Sequence, residues 1–94
     1  MTSSQANKWA QVFELLSDYR ALLIVVHIME AGDYVPLREI AKVAKTSESK
    51  ARYYCEKFDR EYIFDEEKIN DEVHYKMTNG SQANYVEAIL EKLT

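Results

Sequence analysis

The 94-residue chain is long enough for one domain, and 47% of its residues are hydrophobic and 30% charged, with only two glycines and one proline. This composition argues against a disordered chain and against a turn-rich all-β fold. The formal net charge of −4 argues against a uniformly basic surface of the kind that binds nucleic acid. Since so short a chain buries only a thin core, pairing of two copies is an effective way to bury more apolar area.

The single cysteine, Cys55, excludes an internal disulfide and favours a cytoplasmic location. The N-terminal segment has neither the basic leader nor the apolar stretch of a signal peptide. The longest apolar run, residues 21–26, falls well short of the ~20 residues that span a bilayer. We therefore expect no membrane partner.

Hydrophobic periodicity predicts two helices in the first third of the chain. The first covers about residues 5–16 and carries an apolar stripe at steps of three and four, formed by Trp9, Val12, Phe13 and Leu16. The second covers about 19–31 after the candidate N-caps Ser17 and Asp18, and Gly32 suits its C-terminal cap. Because the second helix is apolar around nearly its whole circumference, it is expected to lie at the centre of the fold.

A helix-turn-helix is predicted over about residues 37–62. Pro36 precedes its first helix, where a missing N–H costs nothing, and Val35 is placed to add one residue pair to a small sheet. Lys45 and Thr46 form the tight turn, and Thr46 or Ser47 caps the second helix. That helix faces its core through a stripe at i, i+4, i+7 and i+11, formed by Ala51, Cys55, Phe58 and Tyr62.

The remaining segments predict a hairpin and a closing helix. Alternation of polar and apolar residues near 62–66 and 72–77 indicates a two-stranded hairpin over about 62–78, with a charged tip at 67–71. A last helix, about 79–93, begins at Thr78 or Ser81. The predicted fold class is α+β, mainly α: one winged helix-turn-helix domain over 1–94, with flanking N- and C-terminal helices.

Charge is segregated along the chain. Residues 38–54 contain five cations and two anions, which gives +3, whereas residues 65–72 contain five anions and one cation, which gives −4. One surface is therefore expected to meet phosphate while another repels it.

The segment from LSDYRALLIVV to EYIF, residues 16–64, resembles the core of prokaryotic winged-helix regulators of the arsenical-repressor-like and multidrug-resistance-regulator-like groups. The segment YKMTNGSQANYVEAI is similar to the end of their wing and the helix that follows. The resemblance implies that the helix after Thr46 is a recognition helix for the major groove of DNA. The chain departs from the pattern at Tyr62, where such families often carry glycine, and in its wing, which is acidic where theirs is usually basic.

Residue chemistry supports the same surface, because outward positions in the first turns of a recognition helix lie nearest the base edges. Ser47, Ser49, Lys50, Arg52 and Tyr53 are predicted to contact bases or phosphates there. The flanking cations and the lone wing cation are expected to contact the backbone: Arg38, Lys42, Lys45 and Lys68. The alternative is an ordinary solvated face, since residues 47–61 carry four cations and four anions.

The terminal helices are expected to form a homodimer interface through their apolar residues, namely Trp9, Val12, Phe13, Leu16, Tyr85, Ile89 and Leu93. Two-fold pairing would place two recognition helices about one DNA turn apart, ~34 Å. The alternative is that both helices only complete the core of one chain.

Catalytic chemistry has little support. Cys55 is predicted to be an inert core thiol and His27 a hydrogen-bonded core histidine, and one cysteine cannot form the thiolate cluster of a metal sensor. We expect no cofactor, no metal and no small-molecule ligand.

The sequence thus favours a DNA-binding transcription regulator, a repressor acting by promoter occlusion on a pseudo-palindromic site. The competing hypothesis is a winged-helix adaptor that binds a basic protein through its acidic wing, which includes the case of a small viral or plasmid-encoded modulator.

Overall fold

The computed structural model describes residues 1–93; Thr94, the last position of the predicted domain, lies outside this range. The described chain contains helices and strands in this order: α1 (Ser3–Leu16), α2 (Tyr19–Ala31), β1 (Val35–Pro36), α3 (Leu37–Ala44), α4 (Glu48–Arg60), β2 (Phe64–Ile69), β3 (Glu72–Met77) and α5 (Ser81–Leu93). The predicted fold class, a mainly helical winged helix-turn-helix, is confirmed.

Short polar side chains fix where the first two helices begin. Thr2 and Gln5 form a reciprocal capping box, so α1 begins two residues before the predicted start. Asp18 caps α2 as predicted, and its Oδ1 accepts hydrogen bonds from the N–H groups of Arg20 and Ala21 at 2.9 and 3.2 Å. Gly32 ends α2 with φ +69°, a left-handed conformation that glycine adopts without steric cost.

The core forms where α2, α4 and the sheet meet. α2 contributes Ala21, Ile24, Val25 and Ile28, all fully buried. The rings of Phe58 and Phe64 lie 4.7 Å apart, and Phe64 lies 6.2 Å from Tyr75. α2 thus packs at the centre of the core, and Leu22, Val26 and Met29 on its remaining side are exposed or partly exposed, because a chain this small has no further layer of structure to cover them.

Three antiparallel strands form the sheet in the order β1-β3-β2. Val35 pairs with Tyr75, as the single predicted pair anticipated, and β2 pairs with β3 from Phe64–Met77 to Ile69–Glu72. The hairpin turn is Asn70–Asp71, both with positive φ (52° and 63°), which suits a tight two-residue turn. The predicted five-residue tip at 67–71 is therefore wrong, because the strands continue to the turn.

The joint between α4 and the wing is a left-handed helix end. Tyr62 has φ +59°, Ile63 N–H donates to the Phe58 carbonyl at 2.9 Å, and Tyr62 N–H donates to the Asp59 carbonyl at 3.0 Å. Tyr62 thus adopts the left-handed conformation at the position where the winged-helix regulators that the sequence resembles often carry glycine. Thr78 fastens the other end of the wing, since its hydroxyl donates to the Tyr62 carbonyl at 2.9 Å.

His27 is not a core histidine. It is partly exposed on α2, where its Nε2 lies 2.7 Å from Glu39 Oε2 of α3, so the side chain is hydrogen-bonded as predicted but at the surface. Within residues 1–93, no helix is both long and apolar enough to cross a membrane.

Candidate nucleic-acid interface

The turn between α3 and α4 is built by two local devices. Lys45 ends α3 in a left-handed conformation with φ 56°, and Thr46 N–H donates to the Ala41 carbonyl at 3.0 Å. Ser47 then caps α4, its hydroxyl oxygen accepting from Lys50 N–H at 3.1 Å. These bonds fix the direction in which α4 leaves the turn, and they leave the Ser47 O–H free to donate.

The first two turns of α4 present their predicted side chains to solvent. Ser47, Glu48, Ser49, Lys50, Arg52 and Tyr53 are all exposed. On the opposite side, Ala51, Cys55 and Phe58 are fully buried. The inward side of the predicted recognition helix is therefore as the apolar spacing indicated for these three residues. The prediction is wrong for Tyr62, the last residue of the predicted stripe: α4 ends at Arg60, and the left-handed turn that follows leaves Tyr62 66% exposed.

The cations of α3 and the turn lie beside this exposed surface. A shallow depression of about 470 Å³ is lined by Arg38, Ala41, Lys42, Lys45, Thr46 and Glu48. Arg38 forms an ion pair with Glu72 of the wing, which raises the pKa of Arg38. Among residues 1–93, Lys42 and Lys45 form no ion pair, so their charges are available to an incoming anion.

Arg52 is partly neutralised within α4. Its Nε donates to Glu56 Oε1 at 3.0 Å, an i,i+4 pair, and this hydrogen bond raises the pKa of Arg52. Both pairs made by the site's arginines are exposed, and exposed ion pairs are weak enough for a phosphate to displace. An anion that binds Arg38 or Arg52 must first displace a carboxylate, so both arginines attract an anion less strongly than unpaired cations would.

A row of cations missed by sequence reasoning continues along α4. Lys50 and Lys57 lie over the ring of Tyr53, at 5.0 and 4.4 Å from its centroid. Hydrogen bonding from Lys57, together with the charges of Lys57, Lys50 and Arg60, lowers the pKa of Tyr53, which is 48% exposed. The spacing 50, 53, 57, 60 is the signal in the sequence for this row, since steps of three and four share one side of a helix.

The other side of α4, which faces the wing, is acidic. The pKa of Asp59 is raised, first by burial and then by the nearby carboxylates of Glu66 and Asp65. Tyr75 donates to Glu66 Oε1 at 2.5 Å from the inner side of the sheet. Lys68 is exposed on β2 opposite Val73, two residues before the turn. The wing therefore presents one exposed lysine among carboxylates.

The terminal helices form an exposed apolar groove of about 800 Å³. Its wall includes an aromatic cluster in which Trp9 lies 6.0 Å from Phe13 and 5.9 Å from Tyr85. Phe13 and Tyr85 are 50% and 61% exposed. The lining residues are Met1, Gln5, Ala6, Trp9, Ala10, Phe13, Tyr85, Ala88, Ile89 and Lys92.

Two of the predicted interface residues lie in the core instead. Val12 is 0% and Leu16 8% exposed, because both point from α1 into the core of the same chain, so neither offers a surface to a partner. Leu93 is exposed but does not line the groove. Sequence reasoning did not single out Ala6, Ala10 and Ala88, which also line the groove. Their small side chains allow a helix to approach closely, and the i,i+4 spacing of Ala6 and Ala10 is the signal in the sequence for this wall.

Cysteine and histidine, the residue types that most often act as nucleophiles, bases or metal ligands, are engaged in other ways here. Burial raises the pKa of the Cys55 thiol strongly, so it is a poor nucleophile and metal ligand. His74 bonds the Glu72 carbonyl through Nδ1 at 2.9 Å. Among residues 1–93, no three His, Cys, Asp or Glu side chains are grouped so that they would hold a metal ion.

Three solved structures share this fold at low sequence identity. HlyU from Vibrio cholerae N16961 matches with a TM-score of 0.79 at 14% identity, covering 98% of this chain and 97% of HlyU. The homodimeric winged helix-turn-helix DNA-binding domain of Mb0332 from Mycobacterium bovis, a possible ArsR-family transcriptional regulator, matches with a TM-score of 0.77 at 13% identity, covering 97% and 82%. The transcriptional repressor BigR from Xylella fastidiosa matches with a TM-score of 0.71 at 16% identity, covering 92% and 83%.

No family model and no curated protein sequence matches the chain. Among these structural neighbours are the winged helix-turn-helix domain of a possible ArsR-family transcriptional regulator and a transcriptional repressor, as the sequence resemblance anticipated. At identities below one in five, the likeness establishes the fold, and function depends on the site described above.

Proposed function

We propose that this chain is a sequence-specific double-stranded DNA-binding transcription regulator that acts as a homodimer. The observation that carries the proposal is the exposure of the first two turns of α4 directly beside the unpaired Lys42 and Lys45. A helix with a free polar N-terminal half and a cationic shoulder suits the major groove of B-form DNA.

The proposed contacts divide into two groups by chemistry. Ser49, Arg52 and Tyr53 project from the outward side of α4 toward base edges, with Arg52 releasing Glu56 when it binds guanine. Lys42, Lys45 and the Ser47 hydroxyl bind phosphates and set the register of the helix in the groove. Arg38 joins them when it leaves Glu72, and Lys68 is the only wing cation placed near the hairpin turn.

The proposed dimer pairs the apolar grooves of two copies. The occupant that fits is a second α1–α5 surface, because the groove offers exposed Phe13, Tyr85 and Trp9 beside alanines that permit close helix packing. The Mb0332 domain, which has the same fold, is homodimeric. Two recognition helices related by a two-fold axis would read a pseudo-palindrome with half-sites ~34 Å apart, and occupancy of a promoter would block transcription.

The test is selection of bound sequences from random duplex DNA, followed by mobility shifts at about 50 mM salt, where phosphate contacts are strongest. We expect an enriched inverted repeat and a protein mass twice that of the 11.0 kDa chain. Absence of any DNA binding at this salt concentration would overturn the proposal, and enrichment of a single half-site would overturn its dimeric form.

A second candidate function is favoured by the acidic wing. Five of the six residues of β2 are exposed, and the hairpin carries Asp65, Glu66, Glu67, Asp71 and Glu72. Such a surface suits a basic protein partner, as in an adaptor that uses the fold without DNA. Loss of a partner in a pull-down on charge reversal in the wing, with no DNA binding by the wild-type chain, would favour this function over the first.

A further inference from the structure

A cleft between α4 and the junction of α1 with α2 extends beyond the surface described above. Its volume is about 510 Å³, and it is lined by Gln11, Glu14, Leu15, Asp18, Lys50, Tyr53, Tyr54, Lys57, Arg60 and Glu61. Its α4 wall is the row of Lys50, Tyr53, Lys57 and Arg60, which we term the basic side of α4.

The basic side has the length and spacing of a backbone-binding surface. Lys50 and Arg60 are ten positions apart, or about 15 Å at a rise of 1.5 Å per residue. Successive phosphates of one DNA strand are separated by more than their 3.4 Å rise along the helix axis, because the strand winds around it, and a row of this length can contact more than one of them. Lys50 belongs to both the exposed first turns of α4 and the cleft, so the two surfaces are continuous.

The cations of the basic side keep their charge free. Within residues 1–93, ion pairs involve His27, Arg38 and Arg52, whereas Lys50, Lys57 and Arg60 form none. Lysines 50 and 57 are instead held over the ring of Tyr53, which orders them without neutralising them.

The three carboxylates that line the cleft differ in their hydrogen bonding. Asp18 is occupied by its helix cap and by the Tyr54 hydroxyl, which donates to Oδ2 at 3.0 Å. Glu14 and Glu61 line the cleft without an ion pair among the described residues. Asp18 also stays ionised, since its hydrogen bonds and the charge of Lys50 lower its pKa. All three carboxylates therefore weaken the attraction for an anion, and removal of Glu14 or Glu61 should strengthen it.

We infer that the basic side of α4 binds the phosphate backbone of one DNA strand, so that DNA is anchored on the α1–α2 side of the recognition helix and not through the wing. The inference rests on the proposed DNA-binding function. On the opposite side of α4, Asp59 lies near Glu66 and Asp65 of the wing, so a phosphate backbone meets more carboxylates there than on the basic side.

The test measures the salt dependence of affinity for a selected duplex in the wild-type chain and in Lys57→Gln, Arg60→Gln and Glu61→Gln. We expect Lys57→Gln and Arg60→Gln each to weaken binding about fivefold and to reduce the slope of log affinity against log salt by about 1. Glu61→Gln should tighten binding about twofold, a gain that a misfolded protein cannot produce. Lys76→Gln removes the same charge from β3, where Lys76 lies over Tyr34, and should change neither quantity.

Unchanged salt slopes in Lys57→Gln and Arg60→Gln, with wild-type DNA binding intact, would overturn this inference and leave the proposed function standing. No DNA binding by the wild-type chain would overturn both. A small anion as the true occupant has its own signature: inorganic phosphate at millimolar concentration would shift the NMR signals of Tyr53 and Lys57 while their substitution leaves DNA affinity unchanged, and this result would also overturn the inference.

Discussion

The helix-turn-helix and the wing of this protein lie side by side, yet their charges are arranged in opposite ways. In the helix-turn-helix, Lys42, Lys45 and Lys50 form no ion pair among residues 1–93. In the wing, carboxylates dominate, and one of them, Glu72, reaches across to pair with Arg38. Local pairing, more than the net charge of −4, therefore decides which surface can meet phosphate.

The largest expected effect comes from removing the cations of the helix-turn-helix. The triple variant Lys42→Gln, Lys45→Gln, Lys50→Gln should lose on the order of 100-fold in DNA affinity, because each charge-assisted contact contributes roughly 1 kcal/mol or more. Fluorescence anisotropy with a labelled duplex measures this loss. Circular dichroism checks the fold, which these exposed side chains should not affect.

If the triple variant binds DNA as tightly as the wild-type chain does, the lysines of the helix-turn-helix are not the groups that bind phosphate, and another surface contacts DNA. The replacement Lys68→Gln then becomes the decisive one, since Lys68 is the wing cation nearest the hairpin turn.

The next largest effect concerns stability and the hydrogen bond that joins α4 to the start of α2, from the Tyr54 hydroxyl to Asp18. Asp18→Ala removes a helix cap and the acceptor of the Tyr54 hydroxyl, so the free energy of unfolding should fall by about 1–2 kcal/mol. Urea unfolding measures the change. Tyr54→Phe supplies the control, since its own cost should shrink when Asp18 is already absent.

The same carboxylate gives a pH dependence. Burial acts to raise its pKa, but hydrogen bonds from Ala21 N–H and the Tyr54 hydroxyl outweigh it, so the pKa of Asp18 is lowered in the folded chain. A lowered pKa means that the stabilisation is present above the unfolded value of about 3.9 and is lost as the pH falls through the folded value. The stability difference between wild type and Asp18→Asn should therefore be larger at neutral pH than in strong acid.

The interaction between the wing and the helix-turn-helix is tested by Glu72→Gln. Freeing Arg38 should tighten DNA binding about threefold to fivefold, a small gain because an exposed ion pair restrains its partners only weakly. Glu67→Gln removes an acid from the same hairpin that forms no ion pair among residues 1–93, so it reports the long-range effect of charge alone. Equal gains in both variants would show that the Arg38–Glu72 pair does not restrain Arg38.

Elements set by local rules were predictable, and those set by distant partners were not. Asp18, Gly32 and the apolar spacing of α4 predicted helix ends and the inward side because neighbouring residues determine them. The pairing of Arg38 with Glu72, 34 residues away, left no trace in sequence spacing. Val12 and Leu16 share a stripe with Trp9 and Phe13, and periodicity alone does not separate the part of a stripe that enters the core from the part that remains exposed.

The smallest expected effect tests the joint that sets the wing at an angle to α4. Tyr62 occupies a left-handed conformation, which destabilises a residue that has a Cβ by roughly 1–2 kcal/mol. Glycine avoids this steric cost, but its greater entropy in the unfolded chain offsets part of the gain in stability. Both Tyr62→Gly and Tyr62→Ala lose the contact with Lys8, which lies 5.2 Å above the tyrosine ring. Tyr62→Gly should therefore be more stable than Tyr62→Ala by about 0.5–1 kcal/mol in urea unfolding.

The Tyr62→Gly variant also tests whether DNA affinity depends on the angle between the wing and α4. Glycine leaves the wing freer to change its angle, whereas the basic side of α4 stays fixed to α2 through Tyr54 and Asp18. If DNA is held by the helix-turn-helix and the basic side of α4, its affinity for the Tyr62→Gly chain should equal that for Tyr62→Ala. A large loss of affinity confined to the glycine variant would instead mean that the acidic wing must be held at one angle for DNA to bind.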